Sequence, residues 1–554
     1  MNASWNSLGK REIYEYCGDS AGRIAVLQRP DGTLTGQHQE MDAMLREAWD
    51  EVFCLYTALP EPSWEDFKAR YQNYFPQVAP MVGGDLTPGI LKGVLERMHS
   101  SSSGGADGWR VAELKALPMG LLQRLCDLFN LIERLGKWPE AMAIGIITPL
   151  SKGEGLRPID TRPITVMSAV YRLWASARVS QVLQWQASWL GMDVCSFRAG
   201  MGCEDIWWTS ALRIEHSLLT GAPLAGLNVD FAKAFDRLPV DILLNLADTA
   251  GMPSNVVQAL RAMYRQLQRR FKTGDFLGEP FASTNGIIQG CPLSVALLNI
   301  FVYVWTQMVQ SEVPGTIAKA FADDLSLMGA TADMVKKGLG LTVEFADRTG
   351  MLMNTKKSGL WATTRALRMR LTGIIVEGCI LPLMTHDRLL GAYLSYNGNR
   401  IKSKFDVTFK ACKTIAERIK NLPLPMEVRA TLIASLVVPK AVYACAVNWP
   451  SESSLTKLRA QCTTAVWGQG NHWRAPEVVM TLLAKGHIAD PVQAAAYQTI
   501  TVASRVLRKQ PELEQLFYDV LQRRRASRAT HKGPGHAFIR ALKNAHLDLN
   551  VENG

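Results

Sequence analysis

The sequence predicts an α+β protein built from several subdomains. Short apolar runs of β character, AIGIITPLSK (143–152), LAGLNVD (224–230) and AKAFADDLSLMGA (318–330), alternate with longer segments whose apolar residues recur every three or four positions. At 554 residues the chain is too long for one core and implies two to four domains or subdomains. A content of 47% apolar and 20% charged residues is that of a globular protein able to bury a large core.

Taken in order, residues 1–100 read as mixed and helical, anchored by Trp49, Phe53, Trp64, Phe67 and Tyr71, with nothing catalytic. SSSSGGADGW (100–109) is a loop by composition. It leads into VAELKALPMGLLQRLCDLFNLIERLG, which has helical apolar spacing. After the 143–152 run, RPITVMSAVYRLWASARVSQVLQWQ (162–186) passes from an extended start into a helix. LAGLNVDFAKAFDRL reads as a buried strand ending at Asp230. STNGIIQGCPLSVALLNIFVYVW (283–305) reads as a glycine-marked turn opening a buried helix, with Pro292 where a first-turn proline is tolerated. The 318–330 segment is apolar on both sides of Asp323 and Asp324, as in a hairpin whose turn carries the carboxylates.

Several classes are disfavoured. The N-terminal MNASWNSLGKREIYEY lacks the apolar stretch of a secretory signal. The longest apolar run, about Leu293 to Val309, is interrupted by Ser294, Asn299, Thr306 and Gln307 and reads as a core helix, so no membrane is expected. Ten cysteines are scattered singly without C-x-x-C or Cys/His ligand spacing, which fits reduced thiols and argues against a zinc module. The formal charge of +11 is localised: residues 401–554 hold 22 Lys+Arg against 11 Asp+Glu, whereas residues 1–400 balance at 39 against 39. A one-sided basic surplus suggests a polyanionic partner, most often nucleic acid. The cluster RRRASR (523–528) also fits a nuclear-import signal.

Asp323 and Asp324 raise a chemical question. Adjacent carboxylates between apolar neighbours repel each other and resist desolvation unless a cation or proton lies between them. Asp230, at the end of another strand, converges on them if the two strands are neighbours in one sheet. Oxygen ligands suit magnesium, which keeps water or substrate phosphate in its shell. Two such ions activate an attacking hydroxyl and stabilise a leaving pyrophosphate, so the chemistry suggested is nucleotidyl transfer.

NVDFAKAFDRL, GIIQGCPLSVALLNIF and FADDLSLM, in this order, resemble motifs A, B and C of reverse transcriptases, and QGCPLS with the downstream Asn299 resembles the non-LTR (LINE-type) retrotransposon branch. GADGW (105–109) and LSK followed by TRPITVMSAVYRL are similar to the family's fingers motifs, NTKKSGLW (354–361) to motif D, and RLLGAYLS (388–395) to motif E. APEVVMTLLAKGHIADPVQAAAY (475–497) is similar to the thumb-side segment, so the resemblance covers about residues 80 to 500.

The resemblance implies a right-hand polymerase with an antiparallel palm sheet and a helical thumb. Residues 1–100 would be an N-terminal helical extension, 101–400 fingers and palm, and 401–554 a basic thumb and nucleic-acid-binding region. Asp230, Asp323 and Asp324, with the Phe231 carbonyl, would hold Mg2+, with Mn2+ as a substitute. Phe235 would be the steric gate that rejects a ribose 2′-hydroxyl; an RNA-templated RNA polymerase would place an aspartate there, so DNA is the expected product. Gln289 and Gly290 would contact the incoming nucleotide and template, and Lys152 and Arg162 would neutralise the triphosphate, with Arg157 in LRPID as a rival for Arg162. Lys357 would protonate pyrophosphate, with Lys356 beside it leaving the register open. Arg172 and Phe321 depart from the commoner lysine and tyrosine.

The expected partners are an RNA template, a DNA primer or target DNA, and dNTPs. Endonuclease activity is expected from elsewhere, and action in the nucleus after cytoplasmic synthesis. The rival expectation is an inactive or repurposed nucleic-acid-binding protein that keeps the fold. An intron-encoded relative and a viral RNA polymerase fit the residues less well.

Overall fold

The computed structural model describes residues 13, 16–17, 24–153, 155–399, 403–468, 475–483, 488–526 and 531–548. Ala484, Lys485, Gly486 and His487 of the thumb-side segment, and Ser527 and Arg528 of the basic cluster, lie outside the described residues.

A five-stranded sheet forms the palm, in the order Leu383–Met384, Gly359–Ala362, Ala225–Val229, Asp324–Gly329, Ile317–Phe321. Its pairings are antiparallel except at one edge, where Leu360 and Trp361 pair in parallel with Leu383 and Met384. All five residues of Ala225–Val229 are buried, as a central strand covered on both faces requires. One cover is the Pro292–Glu312 helix, with proline in its first turn and 14 of its 21 residues buried. It is long and apolar enough to span a membrane by composition, yet it lies against the Ile317–Phe321 strand and the Ala169–Ala187 and Val240–Thr249 helices as the core of the palm. The Ala332–Thr349 helix packs on the central strands, and Gly338 lets it approach Leu327 closely.

The fingers sheet has the order Thr161–Val166, Ile144–Ser151, Gln268–Thr273, Phe276–Leu277. Ile147 and Phe271 share a core with Leu27, Met41, Leu45, Trp49, Val52 and Phe53, so the His38–Phe53 helix belongs physically to the fingers. The Trp64–Tyr71 helix, which follows the short Leu55–Ala58 helix, instead joins the palm. Phe67 packs on Phe301 and Phe345, and Arg70 bridges Glu312 and Glu344 at 2.7 and 2.8 Å. The aromatic anchors of the first hundred residues thus divide between two bodies.

The C-terminal third also divides. Helices Ser403–Lys420, Met426–Leu432 and Glu452–Trp467 share a core of Cys412, Ile415, Leu432, Ile433, Leu455 and Cys462. Helices Glu514–Ala526 and Pro534–Asn544 turn back onto the palm helix Cys203–Thr220 through Trp208, Val520 and Phe517. Pro491–Lys509 contributes to both cores, with Ala494 and Ala495 in one and Val502 and Val506 in the other. All ten cysteines are free thiols.

Candidate active site

The two acidic segments meet because their strands are neighbours. Val229 pairs with Leu325, which puts Asp230 and Asp324 at the same end of the antiparallel ladder. Phe321 pairs with Asp324, leaving Ala322 and Asp323 as a two-residue turn. Ala322 has φ 53° at the first central position, where glycine is favoured, so the hairpin tip carries backbone strain. Burial, reinforced by Asp230, raises the Asp323 carboxyl above the ordinary range. Asp324 is exposed at the cleft mouth, yet the surrounding protein and then the charges of Asp323, Asp230 and Asp387 push it up to about 7.

Asp230 is held by the 354–358 loop. Its N–H donates to Ser358 Oγ at 3.0 Å, its carbonyl accepts from the Asn354 N–H at 2.8 Å, and its Oδ2 accepts from Asn354 Nδ2 at 3.0 Å. Lys357 Nζ stands 3.7 Å from the same carboxylate oxygen, which separates it from its neighbour Lys356, for which no such ion pair is formed among the described residues. Asn354 and Ser358 were not singled out in the sequence. Their partner lies more than 120 residues away, and only the fold reveals it.

Phe231 is buried and its backbone bridges Met353. Phe235 is half-buried, and its carbonyl accepts from the Ile287 N–H at 2.7 Å, tying motif A to motif B. Gln289 is turned toward the protein: its Nε2 donates to Asp236 Oδ2 at 2.7 Å. Asp236 is 2% exposed, and burial raises its carboxyl to about 6 against the opposing pull of Arg269 and Gln289. Gly290 has φ 121°, and a β-carbon there would lie 2.3 Å from the Thr165 carbonyl oxygen. The Thr165 N–H donates to the Gln289 carbonyl at 2.8 Å, so the close approach that needs glycine is to the fingers strand.

Lys152 follows the Ile144–Ser151 strand, and Arg162 pairs with Leu150 on the next one. Burial, then the charges of Arg162 and Lys357, lower the Lys152 pKa, while Asp236 and Asp230 oppose the shift. These cations and carboxylates therefore lie near enough for their charges to act on Lys152. Arg157 is bound to Asp160 through two hydrogen bonds of 2.7 and 3.0 Å, whereas Arg162 has no such partner among the described residues. That difference favours Arg162 as the cation available to a ligand. Arg172 donates to the Ser103 carbonyl, and Ser168 Oγ donates to Asp107 Oδ2 at 2.5 Å, fixing the GADGW loop to the fingers.

A cleft of about 550 Å³ opens beside the carboxylates, lined by Asp230, Asp324, Lys357, Asp387, Arg388 and Gly391 among others. Asp387 belongs to the hairpin His386–Leu389/Ala392–Ser395, pinned to the palm by Asn228 Nδ2, which donates to Asp387 Oδ2 at 2.7 Å and to the Tyr396 hydroxyl at 2.9 Å. The donors suit a hard divalent cation: they are carboxylates, two of which burial, and then their neighbours' charges, hold toward protonation. Among the described residues no three acidic, histidine or cysteine side chains close to the spacing of a finished metal site. The set fits magnesium in kind, since magnesium needs only one or two carboxylates when substrate phosphates complete its shell.

The family model described as "Reverse transcriptase (RNA-dependent DNA polymerase)" matches residues 151–376. The chain is 27% identical over 274 residues to the Pol polyprotein of the type-2 retrotransposable element R2DM of Drosophila melanogaster, covering 47% of this chain and 25% of that protein. It is 24% identical over 484 residues to the 149 kDa protein of transposon TX1 of Xenopus laevis (84% and 36%), and 26% identical over 357 residues to a 115 kDa protein of the type-1 element R1DM of Drosophila melanogaster (60% and 33%). The chain thus spans between a quarter and about a third of the length of these relatives. A solved telomerase from Candida tropicalis with a telomeric RNA fragment overlaps it with a TM-score of 0.37 at 12% identity, covering 77% of this chain and 68% of that one. Residues 151–376 match the reverse transcriptase family model and the relatives are retrotransposon proteins, which supports a reverse transcriptase domain of the non-LTR kind within the chain.

Proposed function

We propose that the chain is an RNA-directed DNA polymerase that adds deoxynucleotides to a primer 3′-hydroxyl on an RNA template. The observation that carries this reading is the strand register that sets Asp230 beside Asp324 with Asp323 at the adjoining turn, with Lys357 Nζ 3.7 Å from Asp230 in the same cleft. Magnesium, or manganese in its place, would be held by Asp230, Asp323, Asp324 and the Phe231 carbonyl and would supply activation of the hydroxyl and neutralisation of phosphate charge. Lys152 and Arg162 bind the triphosphate by charge-assisted hydrogen bonds. Phe235 closes the sugar side of the pocket against a 2′-hydroxyl. Gln289, fixed by Asp236, presents its backbone turn to the base-paired nucleotide, and Lys357 holds a proton for the departing pyrophosphate.

The partners on this reading are an RNA template, a DNA primer or target DNA, and dNTPs, with nuclear action after cytoplasmic synthesis. RRRASR gives little support for import, because Arg524 is buried against Glu215 and Arg523 pairs with Asp519. The basic thumb would follow the duplex through phosphate contacts.

The test is incorporation of dNTPs on an RNA template with an annealed DNA primer and magnesium, beside Asp323→Ala. Incorporation is expected in the parent, with at least a hundredfold loss in the variant and far less product when ribonucleotides replace dNTPs. Tight template–primer binding without incorporation would replace this reading with that of a nucleic-acid binder retaining the fold.

A further inference from the structure

Lys233 lies three residues after Asp230 in the left-handed conformation, φ 54°, ψ 44°. A non-glycine residue held there is an outlier that asks for a cause. Its carbonyl accepts from the N–H groups of Asp236 and Arg237, and the preceding Ala232 N–H donates to Leu352, so the backbone on both sides is fixed. The strained turn carries the side chain out of the palm and into the fingers.

There Lys233 Nζ donates to the Ile159 carbonyl at 2.5 Å and stands 4.1 Å from the centre of the Trp49 ring. The Trp49 indole N–H donates to the Pro158 carbonyl at 3.2 Å, and Trp49 is fully buried. Two successive carbonyls of one turn are therefore held, one by the palm and one by the N-terminal helix, while ammonium and indole hold each other. The turn, Pro158–Asp160, joins Lys152 to Arg162. It is internally stiff: Arg157 grips Asp160, Thr161 Oγ1 donates to the Pro158 carbonyl at 2.8 Å, and Gly155 lies against Asp160. A stiff turn held at two adjacent carbonyls has its position over the palm fixed by those two contacts.

We infer that Trp49 and Lys233 are positioning residues that set the distance between the fingers cations Lys152 and Arg162 and the palm carboxylates, so that the N-terminal helix governs affinity for the nucleotide's triphosphate. The inference rests on the polymerase reading for its substrate. Its mechanical part, that the pair holds the turn, stands without it. Trp49 is too deeply covered to touch a nucleotide, so any effect of its replacement on nucleotide affinity must pass through the turn.

The experiment uses the full chain as Trp49→Leu, Trp49→Phe and Lys233→Met, with thermal unfolding to establish that each folds. Steady-state incorporation on an RNA template with an annealed DNA primer should show KM for dNTP raised five- to twentyfold in Trp49→Leu and Lys233→Met, with kcat changed less than threefold. Trp49→Phe, which keeps an aromatic face under the ammonium, should recover to within about threefold of the parent. Template–primer affinity should not move. Independently of activity, tryptic cleavage after Lys152 should quicken at least fivefold in Trp49→Leu and Lys233→Met. Arg157 and Arg162 both precede proline, so Lys152–Gly153 is the readily cut tryptic bond between residues 152 and 163, next to this turn. Unchanged cleavage in folded variants, or a fall in kcat with KM unmoved, would overturn the inference. A parent that incorporates nothing while its variants are cleaved faster would overturn the polymerase reading and leave the mechanical link standing.

Discussion

At the scale of single residues, the site gathers charges that the fold makes costly. Asp236 is the clearest case beyond Asp230, Asp323 and Asp324: it is 2% exposed, and burial raises its carboxyl to about 6 even though Arg269 and the Gln289 amide favour the charged form. Between about pH 4, where a carboxyl in the unfolded chain ionises, and pH 6 the folded state keeps a proton that the unfolded state has released. Stability contributed by this group therefore falls as pH rises through that window and is level above it. Asp236→Asn cannot titrate and can still accept from Gln289. Relative to the parent, the variant should gain about 2–3 kcal/mol of unfolding free energy from pH 4 to pH 7. Urea midpoints of both proteins across that range measure it, and a difference independent of pH would show that the charge is not what burial penalises.

At the scale of elements, the strand ending in Asp230, the hairpin carrying Asp323 and Asp324, and the helix after Pro292 were legible because each is a local pattern: an apolar run, a polar interruption and a first-turn proline. What holds them was not. Asn354 and Ser358 reach Asp230, Asp236 receives Gln289, and Trp49 lies under Lys233, each across a separation that periodicity cannot bridge. Gly290, expected to contact the incoming nucleotide and template, has a further demand on it that only the fold reveals: the Thr165 carbonyl occupies the space its missing side chain leaves. Gly290→Ala should consequently push the Thr161–Val166 strand, and Arg162 with it, away from the palm. A β-carbon 2.3 Å from a backbone oxygen, at φ 121°, should cost about 3 kcal/mol or more. Gly84→Ala is the control: a β-carbon there meets nothing within 4 Å, and stability should stay within about 0.5 kcal/mol of the parent. Equal midpoints for the two variants in thermal unfolding would sink this account of the turn.

At the scale of the whole molecule, the C-terminal basic surplus serves cohesion as well as charge. Arg505 and Lys509 pair with Asp205 at 3.5 and 3.2 Å, and Arg524 pairs with Glu215 at 2.6 Å with both side chains almost wholly buried. Glu215 also accepts from the N–H groups of Gly535 and His536 at 2.7 and 3.0 Å, so one palm carboxylate gathers two C-terminal helices. Removing one member of a buried pair strands the other charge, so Arg524→Met should destabilise the protein by about 3–5 kcal/mol. Adding Glu215→Gln should recover most of that, because the stranded charge is gone; about 1 kcal/mol should remain, since an amide has a single oxygen to serve both backbone N–H groups. Amide hydrogen exchange locates the effect. If these helices dock as a unit, exchange in Arg524→Met should rise across Glu514–Ala526 and Pro534–Asn544 while the palm strands stay protected. Loss of protection in the palm at the same rate would instead mean that palm and C-terminal helices unfold together, with Glu215 and Arg524 inside one cooperative core.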